Sequence, residues 1–189
     1  MADLILHHYP MSPFAEKARL MLGFKGLAWQ SVYIPSVMPK PDVVALTGGY
    51  RRTPLLQIGA DIWCDTSLIA TVLEHLQPGP SLFPEHLKGL ARIVAQWADT
   101  DLFWPAMGYT LSPKGAAAMF ANQPPEAAQA FAADRGAMRT GMTSLRPGDA
   151  TSAYRSHLRR LAHMLHEQPF LLGDAPCIAD FAAYHPLWF

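Results

Sequence analysis

Two places in this chain put hydroxyl and carboxyl side chains where a helix should begin, and a Thr-Pro step stands shortly before the second of them. Ser12-Pro13 has the form of a helix cap followed by proline at the first helical position, which sets the Ser12 hydroxyl among backbone N–H groups at the positive end of a helix dipole. Asp65-Thr66-Ser67 repeats the arrangement: its N–H groups suit a carboxylate, and the Asp65 side chain suits an ammonium. An X-Pro bond can be cis, and a cis Thr53-Pro54 bond would turn the backbone N–H and C=O of Leu55 outward, where they can grip a peptide. Taken together, one end of such a site would hold an α-amino acid head group and the other a peptide backbone. Taken singly, Asp, Thr and Ser at a helix start are far more often plain caps.

The elements that must position these groups are readable from apolar spacing. Residues 3–9 read as a strand, and the period of Phe14, Ala18, Met21 and Leu22 as a helix that Gly26 stops. Residues 28–34 read as a second strand, so the opening is a βαβ crossover. The segment 35–49 is broken by Pro35, Pro39, Pro41 and a Gly pair, and has room for a short helix over 42–46. Residues 55–58 and 62–64 are apolar runs separated by Gly59-Ala60-Asp61, the signal of a hairpin with a three-residue loop. After it, capped by Asp65 or Thr66, Leu68, Ile69, Val72, Leu73 and Leu76 fall on one helical face. The stretch 78–84, PGPSLFP, is a linker on composition. Beyond it the pattern is helical throughout: a long helix from 86 to about 108, an Ala-rich one from 127 to about 142, and another ending near 166.

Composition narrows the function. With 189 residues, 50% of them hydrophobic, the chain is long enough to bury a sizeable core in one large or two small domains. Fifteen Lys and Arg balance fifteen Asp and Glu, so no basic excess points to nucleic acid. The first ten residues lack a signal-peptide pattern and no apolar run is long enough to span a bilayer, which leaves a cytoplasmic location and no membrane partner as the expectation. Cys64 and Cys177 are far apart and lack metal-ligand spacing, so both are expected to be reduced, buried thiols, with no metal site.

The order β-α-β, short helix, β-β-α with a proline entering the third strand resembles the thioredoxin-like half of a glutathione transferase. Thr53-Pro54-Leu55 stands where that superfamily has Val-Pro and a hydrophobic residue, and Asp65-Thr66 where it has Glu-Ser. The string MSPFAEKARLMLGFKGL is similar to the omega-class motif, with Ser12 at the position of that class's cysteine. Pro176-Cys177-Ile178-Ala179-Asp180 resembles the Ser/Thr-Ile-Ala-Asp box of the helical domain, with Asp180 placed to reach back to a backbone N–H. The resemblance implies an α/β thioredoxin-like domain over residues 1–77, a linker over 78–85 and an all-α domain over 86–189. The family usually continues with further helices, so the natural chain is expected to extend beyond Phe189.

The same resemblance implies a glutathione S-transferase, with glutathione as cosubstrate, a small hydrophobic electrophile as second substrate, a role in detoxification and a homodimeric assembly. Glutathione would lie along Arg52, Thr53, Pro54 and Leu55, with its γ-glutamyl end at Asp65 and Thr66 and its glycyl carboxylate near Arg52. Keeping its thiol ionised near neutral pH takes a shift of roughly two units from about 8.5, or about 2.7 kcal/mol. A hydrogen bond from the Ser12 hydroxyl, worth about 1.5–3 kcal/mol to a charged group, plus about 0.3–1 kcal/mol from the helix end, is of that size. Tyr9 is the alternative donor, and His7 and His8 read as strand-end histidines. A serine cannot form the mixed disulfide that a cysteine forms, which favours conjugation over thiol exchange. Phe103, Trp104, Met107 and Tyr109 are candidates for the electrophile pocket, and equally for core. The competing expectations are a transferase-fold protein that binds without catalysis, and a glutathione-dependent isomerase, peroxidase or dehalogenase.

Overall fold

A computed structural model describes residues 3–142 and 144–189. It opens with β1 (Leu4–His8), α1 (Pro13–Phe24) and β2 (Gln30–Tyr33), followed by α2 (Pro41–Thr47), β3 (Leu55–Ile58), β4 (Asp61–Cys64) and α3 (Thr66–Leu76). The sheet runs β2-β1-β3-β4, with β1 parallel to β2 and antiparallel to β3, and β3 antiparallel to β4. Alternation along β3 decides what each face holds. Leu56 packs with Leu6, Met21, Leu22 and Ile69 under α1 and α3, while Leu55 joins Val43 of α2 and Ile34 on the other face.

A buried lysine ties the end of this half to the linker. Lys25, just past α1, gives its ammonium to Glu74 of α3 and to the carbonyls of Gln77 (2.7 Å) and Pro80 (2.6 Å), so the end of α1, the end of α3 and the linker share one cation. Glu74 also accepts from Ser81 and from the Leu82 N–H (2.8 Å). The Ile178 N–H then donates to Leu82 O at 2.9 Å, which carries the tie on into the last helix.

The remaining helices are α4 (Lys88–Trp97), α5 (Phe103–Thr110), α6 (Pro113–Met119), α7 (Pro125–Met138), α8 (Pro147–Met164) and α9 (Ile178–Trp188). Three differences from the sequence reading stand out. The expected strand over 28–34 keeps its pairing only from Gln30 to Tyr33, all four of them exposed on an edge strand. The expected helix over 86–108 is a short 3-10 turn, α4, a π turn over Ala98–Leu102 and α5, and the π turn carries Asp99. The expected helix over 127–142 runs instead from Pro125 to Met138, because Pro125 takes the first helical position, and α6 before it was not anticipated. Among the described residues, no helix is long and apolar enough to cross a membrane.

Candidate functional site

Ser12 caps α1 as its sequence foretells. Its backbone is extended (φ −83°, ψ 119°), its Oγ accepts from the Ala15 N–H at 3.2 Å, and its own N–H donates to Tyr9 O at 3.1 Å. The residue is 2% exposed, so its hydroxyl is screened from bulk solvent. Because the oxygen is the acceptor in that cap, the hydroxyl proton is left to be donated. Tyr9, half-buried beside it, accepts at its phenol oxygen from the Arg135 guanidinium of α7 at 3.0 Å and keeps its proton in the same way.

At the other end, the Thr53–Pro54 bond is cis and Leu55 pairs with His7 across the sheet. Asp65 is the cap of α3: its carboxylate accepts from the Ser67 N–H at 2.8 Å, while Thr66 is the first helical residue and is buried. Asp65 sits at φ 74°, ψ 125°. Among the described residues it alone has a positive φ without being glycine, a conformation that costs on the order of 1–3 kcal/mol. The fold therefore holds an exposed carboxylate in place against backbone preference.

Between the two ends lies a cluster that the sequence did not announce. Lys40 is 4% exposed; its ammonium donates to Thr53 Oγ1 (3.2 Å) and Arg51 O (3.3 Å) and lies 5.5 Å from the centre of the Tyr9 ring. Among the described residues no carboxylate is within ion-pair reach of it. Burial, together with the charges of Arg135 and Arg51, lowers its pKa to about 8 despite the opposing pull of Asp134. Asp134 of α7 in turn pairs with Arg51 and Arg135 and accepts from the Met38 N–H at 3.0 Å. Burial would raise this carboxyl, but the Met38 N–H and the two guanidinium groups outweigh it and hold the pKa below the ordinary value. Arg52, the sequence candidate for a carboxylate partner, is exposed and in no ion pair among the described residues; its neighbour Arg51 is the one built into the network.

The aromatic candidates divide. Phe103 and Met107 are buried with Ala106 against Phe14, Tyr154 and Phe189. Trp104 and Tyr109 are exposed: Arg139 lies 5.4 Å above the Trp104 ring, and Tyr109 stacks on Tyr154 at 5.3 Å. The strand-end histidines are structural in their contacts. His7 Nε2 meets Gln57 Oε1 at 2.8 Å, and His8 lies between Ser31 Oγ (2.7 Å) and the Arg19 guanidinium (2.9 Å), where burial and then Arg19 lower its pKa to about 4. Cys64 is only half-buried, whereas Cys177 is buried deeply enough to push its thiol up to about 11. A concavity of about 430 Å³ between α3, the linker and α4 contains none of these groups.

Comparison with known proteins places the fold. A family model described as "Glutathione S-transferase, N-terminal domain" matches residues 6–81. A GST-like protein from Pseudomonas syringae is 42% identical, with a TM-score of 0.71, over 100% of this chain and 58% of its own, so this chain spans less than two thirds of that relative. FtsZ-localized protein A of Caulobacter vibrioides is 25% identical over 183 residues, which is 94% of this chain and 73% of that protein. A theta class glutathione S-transferase from Xanthomonas axonopodis pv. citri, solved with glutathione bound, shares the fold at 19% identity, with a TM-score of 0.63 over 96% of this chain and 79% of its own.

Proposed function

The chain belongs, by its fold and by the match of its amino-terminal domain, to the glutathione S-transferase superfamily, and on that premise we propose that it binds glutathione and activates its thiol. In this reading the peptide lies against Thr53, Pro54 and Leu55. Its γ-glutamyl ammonium faces the Asp65 carboxylate and its α-carboxylate the N–H groups that open α3, while its glycyl carboxylate faces Lys40. Lys40 is the observation that supports the reading most: a buried ammonium beside Thr53, with no carboxylate within ion-pair reach among the described residues, suits an incoming anion.

The Ser12 hydroxyl donates to the sulfur and stabilises the thiolate, whose proton passes to solvent; Tyr9 is the competing donor. The thiolate then attacks an electrophilic carbon. With an aryl halide a C–S bond forms, the C–halogen bond breaks and the halide leaves with the electron pair. Homodimerisation and a cytoplasmic location are part of the proposal. The exposed Leu68 of α3 and Leu90 and Ile93 of α4 are apolar surface that a second copy would cover, which light scattering tests.

Retention on immobilised glutathione, with release by the free peptide, is the first test. If the protein is retained, Ser12→Ala lowers turnover of an aryl halide and leaves glutathione affinity within a few fold, whereas an effect confined to Tyr9→Phe moves the donor to Tyr9. A second reading has a specific motive. FtsZ-localized protein A is similar along nearly the whole of this chain, and its name describes localisation to another protein. Failure to be retained favours a transferase fold used for binding alone.

A further inference from the structure

We propose that the outer face of α8 docks an acidic peptide, an extended segment with carboxylates on alternate residues. The inference is independent of the proposed function. Charge on the chain as a whole is balanced, fifteen against fifteen, but along α8 it is not. From Ala150 to His166 the chain carries Arg155, Arg159 and Arg160 with His157, His163 and His166, and no acidic residue; Asp149 and Glu167 bound the stretch. Apart from the half-buried His157, these side chains are exposed. Elsewhere Arg19, Arg51 and Arg135 answer carboxylates, and Arg92 and Arg139 lie over aromatic rings. Arg155, Arg159 and Arg160 are in no ion pair among the described residues. The helix dipole does not account for them. It favours cations in the last turn, which explains His163 and leaves Arg159 and Arg155, one and two turns further back, without a reason.

Spacing decides the partner. Arg155, Arg159 and His163 are four apart, so they follow one line along the helix, about 6 Å from each to the next. Alternate residues of an extended chain lie about 6.7 Å apart on one face. Three carboxylates at every second position therefore meet the three donors in register, and each guanidinium can hold its carboxylate through two parallel N–H groups. A bilayer is a poorer match. Ala150 and Leu161 are buried and Tyr154 packs on Phe103, Ala106 and Met107 of α5, so the apolar side of α8 is already covered. Nucleic acid is poorer too, since residues 155–166 include no Phe, Tyr or Trp on which a base could stack.

Fluorescence anisotropy of the whole chain with a labelled peptide of Glu-Ser repeats, and with the matching Gln-Ser peptide as neutral control, tests this at low ionic strength. The acidic peptide is expected to bind about tenfold more tightly than the neutral one, the scale of three exposed ion pairs. Arg155→Gln combined with Arg159→Gln should abolish that preference. Arg146→Gln combined with Arg160→Gln removes the same charge at the start of α8 and about 100° around it from Arg159, and should keep the preference. Equal binding of the two peptides, or a preference that survives the first double variant or is lost equally in the second, would overturn the inference. So would tighter binding of an oligodeoxyadenylate of the same charge, or of phosphatidylglycerol vesicles, which would give the face to nucleic acid or to a membrane.

Discussion

The helical half of the molecule reaches the sheet half in two different ways. At α9 the contact is deep: Ile178, Ala179, Ala182, Ala183, His185 and Pro186 are all buried, and α9 packs on both α1 and α4. At its centre Lys17 of α1, fully buried, donates to Asp99 at 2.6 Å, and His185 Nε2 donates to the other Asp99 oxygen at 3.0 Å. The His185 ring packs against Phe14 and Phe103, at centroid distances of 4.6 and 5.7 Å, and those two rings touch each other at 4.7 Å. At α7 the contact is shallow. None of its residues is buried, and Asp134 and Arg135 fasten it to Arg51, Met38, Ser36 and Tyr9. One junction is built from buried side chains and fixes the relative position of the halves; the other is held by surface ion pairs and can adjust. Moving α7 is therefore cheap, and moving α9 is not.

The sharpest way to break that contrast is to cut each junction at its carboxylate. Asp99→Ala strands a buried ammonium, and stability measured by urea unfolding should fall by about 3–5 kcal/mol. A loss under about 1 kcal/mol would mean that α9 is not the rigid joint. Next in size is Asp180→Ala. This carboxylate accepts from the Cys177 N–H (2.9 Å) and the Leu171 N–H (2.7 Å) at the start of α9, and orphaning both should cost about 2 kcal/mol in the same assay.

Acid should loosen the deep junction and the sheet together. Burial favours an uncharged His185 and holds its pKa below the ordinary value, against the pull of Asp99. Burial would raise Asp99, but His185 and Lys17 outweigh it and keep it ionised to lower pH. His8 refuses a proton until about pH 4, while the unfolded chain takes it up at about 6.5. His8 and His185 bind more protons unfolded than folded over that window, and Asp99 joins them only near its lower end, so stability falls as pH drops from about 6.5 toward 4, readable as a falling urea midpoint. A flat midpoint across the window would contradict it. The smallest effect is expected at the shallow junction. Asp134→Ala frees Arg51, which rehydrates readily, and should cost about 1 kcal/mol or less while raising hydrogen exchange in α7.

Much of this was legible in the residues. The β3–β4 hairpin and the caps Ser12 and Asp65 follow from turn and capping chemistry, which is local, and the structure has all three, although the hairpin loop is the two residues Gly59-Ala60 and not the expected three, because Asp61 already pairs with Ile58. Helix α6 was missed because its Ala116-Ala117-Ala118 run carries no apolar period, although Ser112-Pro113 repeats the signal of Ser12-Pro13. Lys40 gave no sign, since a lysine in a proline-broken loop looks solvated until Thr53 and Tyr9 fold over it. The choice between Arg51 and Arg52 was equally out of reach: it is made by Asp134, far along the chain on a helix whose docking no local pattern encodes. The division of Phe103 and Met107 from Trp104 follows from how α5 is rotated against α8 and α9, a tertiary fact.

In the proposed function glutathione lies between the Asp65 turn and the buried Lys40. Titration calorimetry of glutathione into the wild type and into Lys40→Met, with thermal melts to confirm that both are folded, tests it most directly. One binding event per chain is expected in the wild type, with a loss of about tenfold or more in the variant. No binding by the wild type, or equal affinity in both, would contradict it.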